Sequence, residues 1–395
     1  MALARILRSP AAVAAAGMLV LAVAMGIGRF AFTPLLPLMN QEGRLSIAGG
    51  GWLAAANYAG YLAGALLAAR LRVRPQVLAV GGLALIAAST AAMALPGMAL
   101  WMALRFLAGV CSAGVFVAAS VWCLGALARG GRTDLAGWMF SGVGAGIAVS
   151  GLYVLAAGTE GMTSGMLWLR LGAWAALLAA LACGVLSASE PPDAPRPAAA
   201  GSRRLRAPPG TAGMILSYGI MGFGYILPAT FLPVLARSVV QDPRIFGLAW
   251  PVFGATSFVA MLVSQGWIGR WGRLRVWAWS QGALAVGVAM PGLWLAPATI
   301  LVSALLVGSA TMVITLAGIQ EIRERVAENP GAWVGYMTAA FAVGQIAGPL
   351  FSSLMMAGLP HPESALAICF LVAAGALAAS TVWLLRLAAA QRPGT

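Results

Sequence analysis

Arg29 and Arg105 stand inside long runs of residues otherwise suited to hydrocarbon, and they are the side chains in this sequence most able to do chemistry. An arginine near the middle of a bilayer costs about 2.5 to 3.5 kcal/mol on insertion scales, so something must offset it. No Asp or Glu lies deep in an apolar run, which leaves both charges without a carboxylate partner inside the runs. An anion from outside could supply one, because a guanidinium presents paired donors in one plane and stays charged at any physiological pH. Asn57 and Tyr61 are one helical turn apart and share a face, while Tyr225 and Gln345 could meet the same ligand from later runs. These six are the expected substrate-binding residues. The competing readings are structural: Arg29 snorkelling outward or bonding a helix carbonyl, Arg105 held by backbone or by Glu160, and helix packing for Asn57 and Tyr61.

Other chemistries find no support. Cys111, Cys123, Cys183 and Cys369 lie in apolar runs with no CxxC or Cys/His spacing, and the only histidine is His361 in a polar break, so neither a metal nor a disulfide is expected. The tripeptides GIG at 26–28 and GFG at 222–224 follow no strand, and no GxxxxGK[ST] occurs, so no ATP site is expected. Without His, Asp or Glu deep in the runs there is nothing for acid–base catalysis, and neither an enzyme nor a cofactor is expected.

The elements that must position these residues follow from composition. Of 395 residues 61% are hydrophobic and 9% charged, against roughly 45–50% and 25% in soluble domains. Too little polar surface remains to coat a soluble globule, and a chain this apolar has ample surface to bury, so both a soluble enzyme and disorder are excluded. Cutting at charged, Pro-rich or Gly-rich breaks leaves twelve runs, near 11–39, 47–69, 77–95, 99–127, 135–157, 165–187, 212–236, 246–269, 276–295, 299–320, 333–357 and 363–387. They lack the period-two alternation of barrel strands and are long enough for spanning helices. Arg5 and Arg8 before Ala22-Val23-Ala24 imitate a cleavable leader, but the run continues through Phe30, Phe32 and Leu38 as a full span.

The net charge of +14 comes from 24 basic residues, all arginine, and is explained by orientation rather than by nucleic acid. With a cytoplasmic N-terminus, eighteen of the 24 fall in cytoplasmic segments, among them Arg70, Arg129, Arg203, Arg270 and Arg323; Arg29, Arg44, Arg105, Arg170, Arg237 and Arg244 do not. Both termini are then cytoplasmic. Glu321 and Glu324 read as ordinary cytoplasmic charges, and the fourteen tryptophans mostly as interface anchors and lipid-facing bulk. The segment PPDAPRP followed by Arg203, Arg204 and Arg206 reads as a cytoplasmic linker, 191–211, between halves 1–190 and 212–395.

The halves repeat one another. GIGRFAFTPLLPLM at 26–39 aligns with GFGYILPATFLPVL at 222–235 at an offset of 196, pairing Gly26 with Gly222, Gly28 with Gly224 and Pro37 with Pro233. GWM at 137–139 aligns with GYM at 335–337, Gly109 with Gly308, and Arg70 with Arg270, at offsets of 198 to 200. Six helices per repeat give both halves the same orientation, a parallel repeat. The expected fold is all-α integral membrane, twelve transmembrane helices in two parallel six-helix repeats. Gly26, Gly28, Pro34 and Pro37 in helix 1, and Gly222, Gly224, Pro228 and Pro233 in helix 7, are the expected bending and gating positions. Gly60 and Gly64, and Gly344 and Gly348, have the spacing of close helix packing.

On GIGRFAFTPLLPLM, on ANYAGYLAGAL at 56–66 and on RFLAGVCSAGVFVA at 105–118 the chain resembles the major facilitator superfamily, and within it the YbfB/YjiJ group of bacterial transporters. The resemblance covers nearly the whole chain. It implies a secondary transporter of the inner membrane working by alternating access, driven by an ion or substrate gradient. Two departures stand out: ALLAARLRVR at 65–74 and GRWGRLR at 269–275 keep the superfamily's basic turns without their Asp, and SGVGAGIAVSG at 141–151 lacks the Gly-Pro of drug antiporters. With the two arginines, the expected cargo is a small organic solute, anionic in character. The alternatives are a proton-coupled drug or metabolite efflux pump and a transport-inactive receptor of the same fold. The expected partners are that solute and membrane lipid, with no nucleic acid, protons as the candidate coupling ion and a monomeric chain.

Reporter fusions at 200 and 392 test the topology. Fluorescent protein should fluoresce at both points and alkaline phosphatase be inactive at both; phosphatase activity at either contradicts the twelve-span order.

Overall fold

In the computed structural model, residues 9–70, 74–187, 208–240, 242–326 and 330–390 are described. Arg5, Arg8, Arg72, Arg392 and most of the expected linker lie outside them. The first long helix, α1, runs Pro10–Gln41. It is followed by α2 Ile47–Arg70, α3 Pro75–Ala92, α4 Met98–Arg129, α5 Ala136–Thr159 and α6 Ser164–Ser187. The later six are α7 Thr211–Val239, α8 Ala249–Trp271, α9 Arg273–Leu293, α10 Pro297–Arg325, α11 Pro330–Gly358 and α12 Pro362–Ala390. Their order and bounds follow the twelve apolar runs. Among the described residues ten helices are long and apolar enough to cross a membrane. The other two, α2 and α9, have the length but are diluted, α2 by glycines with Asn57, Tyr58 and Tyr61, and α9 by Arg273, Arg275, Ser280 and Gln281.

Helix pairing repeats between the halves. In the first six helices α1 packs on α4, α5 and α6, α2 on α4, and α3 on α4 and α6; in the last six α7 packs on α10, α11 and α12, α8 on α10, and α9 on α10 and α12. Each pair has its counterpart six helices later. The halves meet through α2 with α11 and α5 with α8, which are counterparts of each other, and through the C-terminal part of α1 with its own repeat partner α7. Parallel six-helix repeats about a pseudo-two-fold axis have this arrangement.

Without a hydrophobic force between helices in lipid, close packing must hold the pairs, and glycine permits it. A Cβ on Gly26 would lie 2.5 Å from the Gly146 backbone, and one on its repeat partner Gly222 2.4 Å from the Phe341 carbonyl oxygen. Both contacts are closer than a real Cβ tolerates. Gly60 and Gly64 press α2 against Phe106 and Val110 of α4, while Gly344 and Gly348 press α11 against α7. A Cβ on Gly28 would meet Ile86 and Ser112, and one on Gly224 would meet Leu377.

In the middle of α1 the winding changes: Ala22–Phe30 is π-helical, and α-helix resumes at Phe32–Gln41. Wider winding leaves backbone carbonyls short of donors, and Pro34 has no N–H to return to the turn before it. Arg105 on α4 fills that gap. Its Nη1 donates to Gly28 O at 3.0 Å and its Nη2 to Arg29 O at 2.7 Å, and the side chain is 3% exposed. Asn57 on α2 then donates to the Arg105 carbonyl at 2.8 Å, tying α2 to α4.

Two sequence expectations need correction. Trp101, Trp122, Trp168, Trp250, Trp277 and Trp333 are buried in protein, so six of the fourteen tryptophans are core rather than lipid-facing. Glu321, expected as an ordinary surface charge, is 9% exposed and paired with Arg325 at 2.7 Å, a bond the helix makes between residues four apart.

Replacing Arg105 with Ala removes two charge-assisted bonds to unsatisfied carbonyls and should cost about 2 to 4 kcal/mol. A thermal unfolding midpoint unchanged in the Arg105→Ala protein would show that the clamp contributes nothing.

Candidate functional site

The π-helical segment carries Arg29 into the centre of the bundle. Its side chain is 2% exposed, so the guanidinium faces protein and not open water. Nη2 donates to Gln345 Oε1 of α11 at 3.2 Å, and Nη1 approaches the Met25 sulfur at 3.9 Å. The remaining faces are aromatic: the guanidinium carbon lies 3.9 Å from the Tyr61 ring centre, 5.1 Å from Tyr58 and 5.3 Å from Phe30. Cation–π attraction strengthens once water is excluded, so these rings offset part of the burial cost. Every partner is neutral. Among the described residues no carboxylate pairs with Arg29, and its Nε has no hydrogen-bond acceptor.

Gln345 passes the network onward. Its Nε2 donates to the Tyr225 hydroxyl, which fixes the amide orientation, since the same side chain accepts from Arg29 through Oε1. The Tyr225 ring stacks on Phe341 at 5.6 Å with the planes 7° apart, and Phe341 is one turn before Gln345 on α11. α1, α2, α7 and α11 thus each contribute to one cluster.

Of the six residues expected from sequence, the structure brings four together: Arg29, Tyr61, Tyr225 and Gln345. The other two, Arg105 and Asn57, are directed at the backbone of α1 and α4 and support the cluster from outside it. Tyr58 and Phe341 belong to the cluster and were missed. Their spacing was readable, since Tyr58 is three residues before Tyr61 and Phe341 four before Gln345, each on one helical face.

Beyond the cluster, toward the C-terminal ends of α1 and α7, the halves are bonded directly. Thr33 donates to Ala229 O at 2.7 Å, and these are equivalent positions of the repeat. Arg237 donates to Pro37 O at 2.8 Å and Ser353 to Ala48 O at 3.0 Å. At the opposite end Arg273 of the GRWGRLR turn pairs with Glu324 of α10, so the acid that the turn lacks is supplied by a neighbouring helix.

Similarity to known proteins agrees with this architecture. The nucleoside transporter NupG, in a mutant form, superposes with a TM-score of 0.75 at 15% identity, covering 95% of this chain and 99% of the other. A bacterial homologue of the human lysosomal transporter Spinster, inward-facing and occupied, gives 0.66 at 16% identity, covering 96% and 95%. At such identities the likeness is one of fold. No curated protein sequence matches the chain. The family described as "Uncharacterised MFS-type transporter YbfB" matches residues 21–385, and the chain therefore belongs to this family of the major facilitator superfamily.

Proposed function

We propose that the protein is a secondary transporter of a small organic anion, in which Arg29 binds the anionic group and Gln345, Tyr225 and Tyr61 complete the site. The observation that carries this reading is a fully buried guanidinium with only neutral partners and an unused Nε donor. A carboxylate or phosphate would provide the bidentate acceptor that the protein withholds. A nucleoside, the cargo of the structural neighbour NupG, is uncharged near neutral pH and would leave Arg29 as it is. Arg105 and Asn57 act through position: they hold the carbonyls of the π segment and so the direction in which Arg29 projects.

Transport follows alternating access between halves 1–190 and 212–395, joined through 191–211. Hydrogen bonds from Thr33, Arg237 and Ser353 close one end of the bundle in the conformation described here. The arginine distribution supports an external position for that end and cytoplasmic termini, as expected of an inner-membrane protein. Opening that end requires these bonds to break and α1 to part from α7. Gly26, Gly28, Pro34 and Pro37, with Gly222, Gly224, Pro228 and Pro233, are the positions where the two helices bend to do so.

Arg29→Ala protein, present in membranes at parental amount, should bind an organic acid found by ligand-dependent thermal shift roughly 10 to 150-fold more weakly, the value of one charge-assisted bond of about 1.5 to 3 kcal/mol. Arg29→Lys should fall between the two, since it keeps charge but loses the planar fork. Unchanged affinity for the acid in Arg29→Ala, or a cationic substrate, contradicts the reading.

A further inference from the structure

A groove of about 370 Å³ opens on the outer surface of the bundle between α8, α9 and α10, far in sequence from the Arg29 cluster. Trp267, Trp271 and Trp279 line it, with Val276, Ala310 and Val313 among its apolar walls. The three tryptophans are exposed, Trp279 to 49%, and Trp271 meets Trp279 edge to face at 5.7 Å. Trp52, Trp138, Trp174 and Trp294 are as exposed; what sets these three apart is that they gather around one cleft, a surface suited to an apolar ligand outside the protein.

Two arginines adjoin residues that line the groove. The Arg270 guanidinium lies 5.3 Å from the ring centre of Trp271, and Arg275 is one turn from Trp279 on the same face of α9. Among the described residues neither is ion-paired. Arg273, between them in sequence, is committed to Glu324 and lines a different cavity with Gln320 and Arg323. Two arginines at the ends of α8 and α9 beside an apolar cleft point by charge complementarity to one kind of occupant, with an anionic head at the helix ends and a hydrocarbon tail along the cleft.

We propose that this groove is a site for one anionic phospholipid, its acyl chain lying along Trp267, Trp271 and Trp279 and its phosphate held by Arg270 and Arg275. α8 also packs on α5 across the halves, so the site borders a helix that joins them.

Native mass spectrometry of the full chain, released from bicelles holding equal amounts of phosphatidylglycerol and phosphatidylcholine with identical acyl chains, tests the site. The parent should retain phosphatidylglycerol in preference. Each of Arg270→Gln and Arg275→Gln should lower that preference about fivefold, and the double variant should abolish it. Trp279→Ala should weaken retention of phosphatidylglycerol, whereas Arg323→Gln, a charge lost at the same end but outside the groove, should leave the preference unchanged. Thermal unfolding of each variant verifies that it is folded. Equal retention of the two lipids by the parent, an Arg323→Gln effect as large as that of the double variant, or displacement of the lipid by millimolar inorganic phosphate overturns the proposal.

Discussion

A guanidinium cannot give up its proton to escape a low-dielectric interior, so Arg29 must be solvated by whatever the protein places around it. Much of the surrounding architecture answers to that requirement. Tyr61, Tyr58 and Phe30 offer ring faces, and Gln345 offers an amide oxygen from the other half of the molecule. None of these neutralises the charge. A carboxylate at the position of Gln345 would have bound Arg29 more strongly; an amide solvates the cation without neutralising it, and the proposed anion site rests on that.

Presenting Arg29 in this way has a cost in backbone bonding. π-Helical winding turns the residue inward and strands the carbonyls of Gly28 and Arg29, which a second buried arginine then satisfies. The two arginines differ in their partners despite similar depth and residue type: each leaves its Nε without an acceptor, but Arg105 directs both Nη donors at the main chain, whereas Arg29 directs its own at the side chains of Gln345 and Met25. Close helix approach makes the arrangement possible. Where Gly26 meets Gly146, and Gly222 meets Phe341, α1 and α7 lie close against α5 and α11.

Much of the fold was legible in the sequence, because lipid imposes one rule everywhere and apolar runs of spanning length have few alternatives. The internal offset near 196 reappeared as matched helix pairs, and as the hydrogen bond between Thr33 and Ala229, residues separated by that offset. The site was legible in part. Arg29, Tyr61, Tyr225 and Gln345 could be named from residue type and depth, but nothing in one sequence distinguishes a guanidinium aimed at neighbouring side chains from one aimed at a carbonyl. That distinction for Arg105 depends on the π segment, which no local signal in AVAMGIGRF announces. Trp250 and Trp277 lie in the core against expectation for a related reason: period and composition tell that a helix spans, not which of its faces meets another helix.

The most direct measurement is a structure by electron cryomicroscopy of the protein with the organic acid that stabilises it most. The expected result is an anionic group within about 3 Å of the Arg29 guanidinium, with Gln345 either displaced or sharing the ligand, and Arg105 still bonded to Gly28 and Arg29. A ligand held elsewhere in the bundle, with the Arg29 to Gln345 bond intact, would contradict the assignment of Arg29 as the anion site.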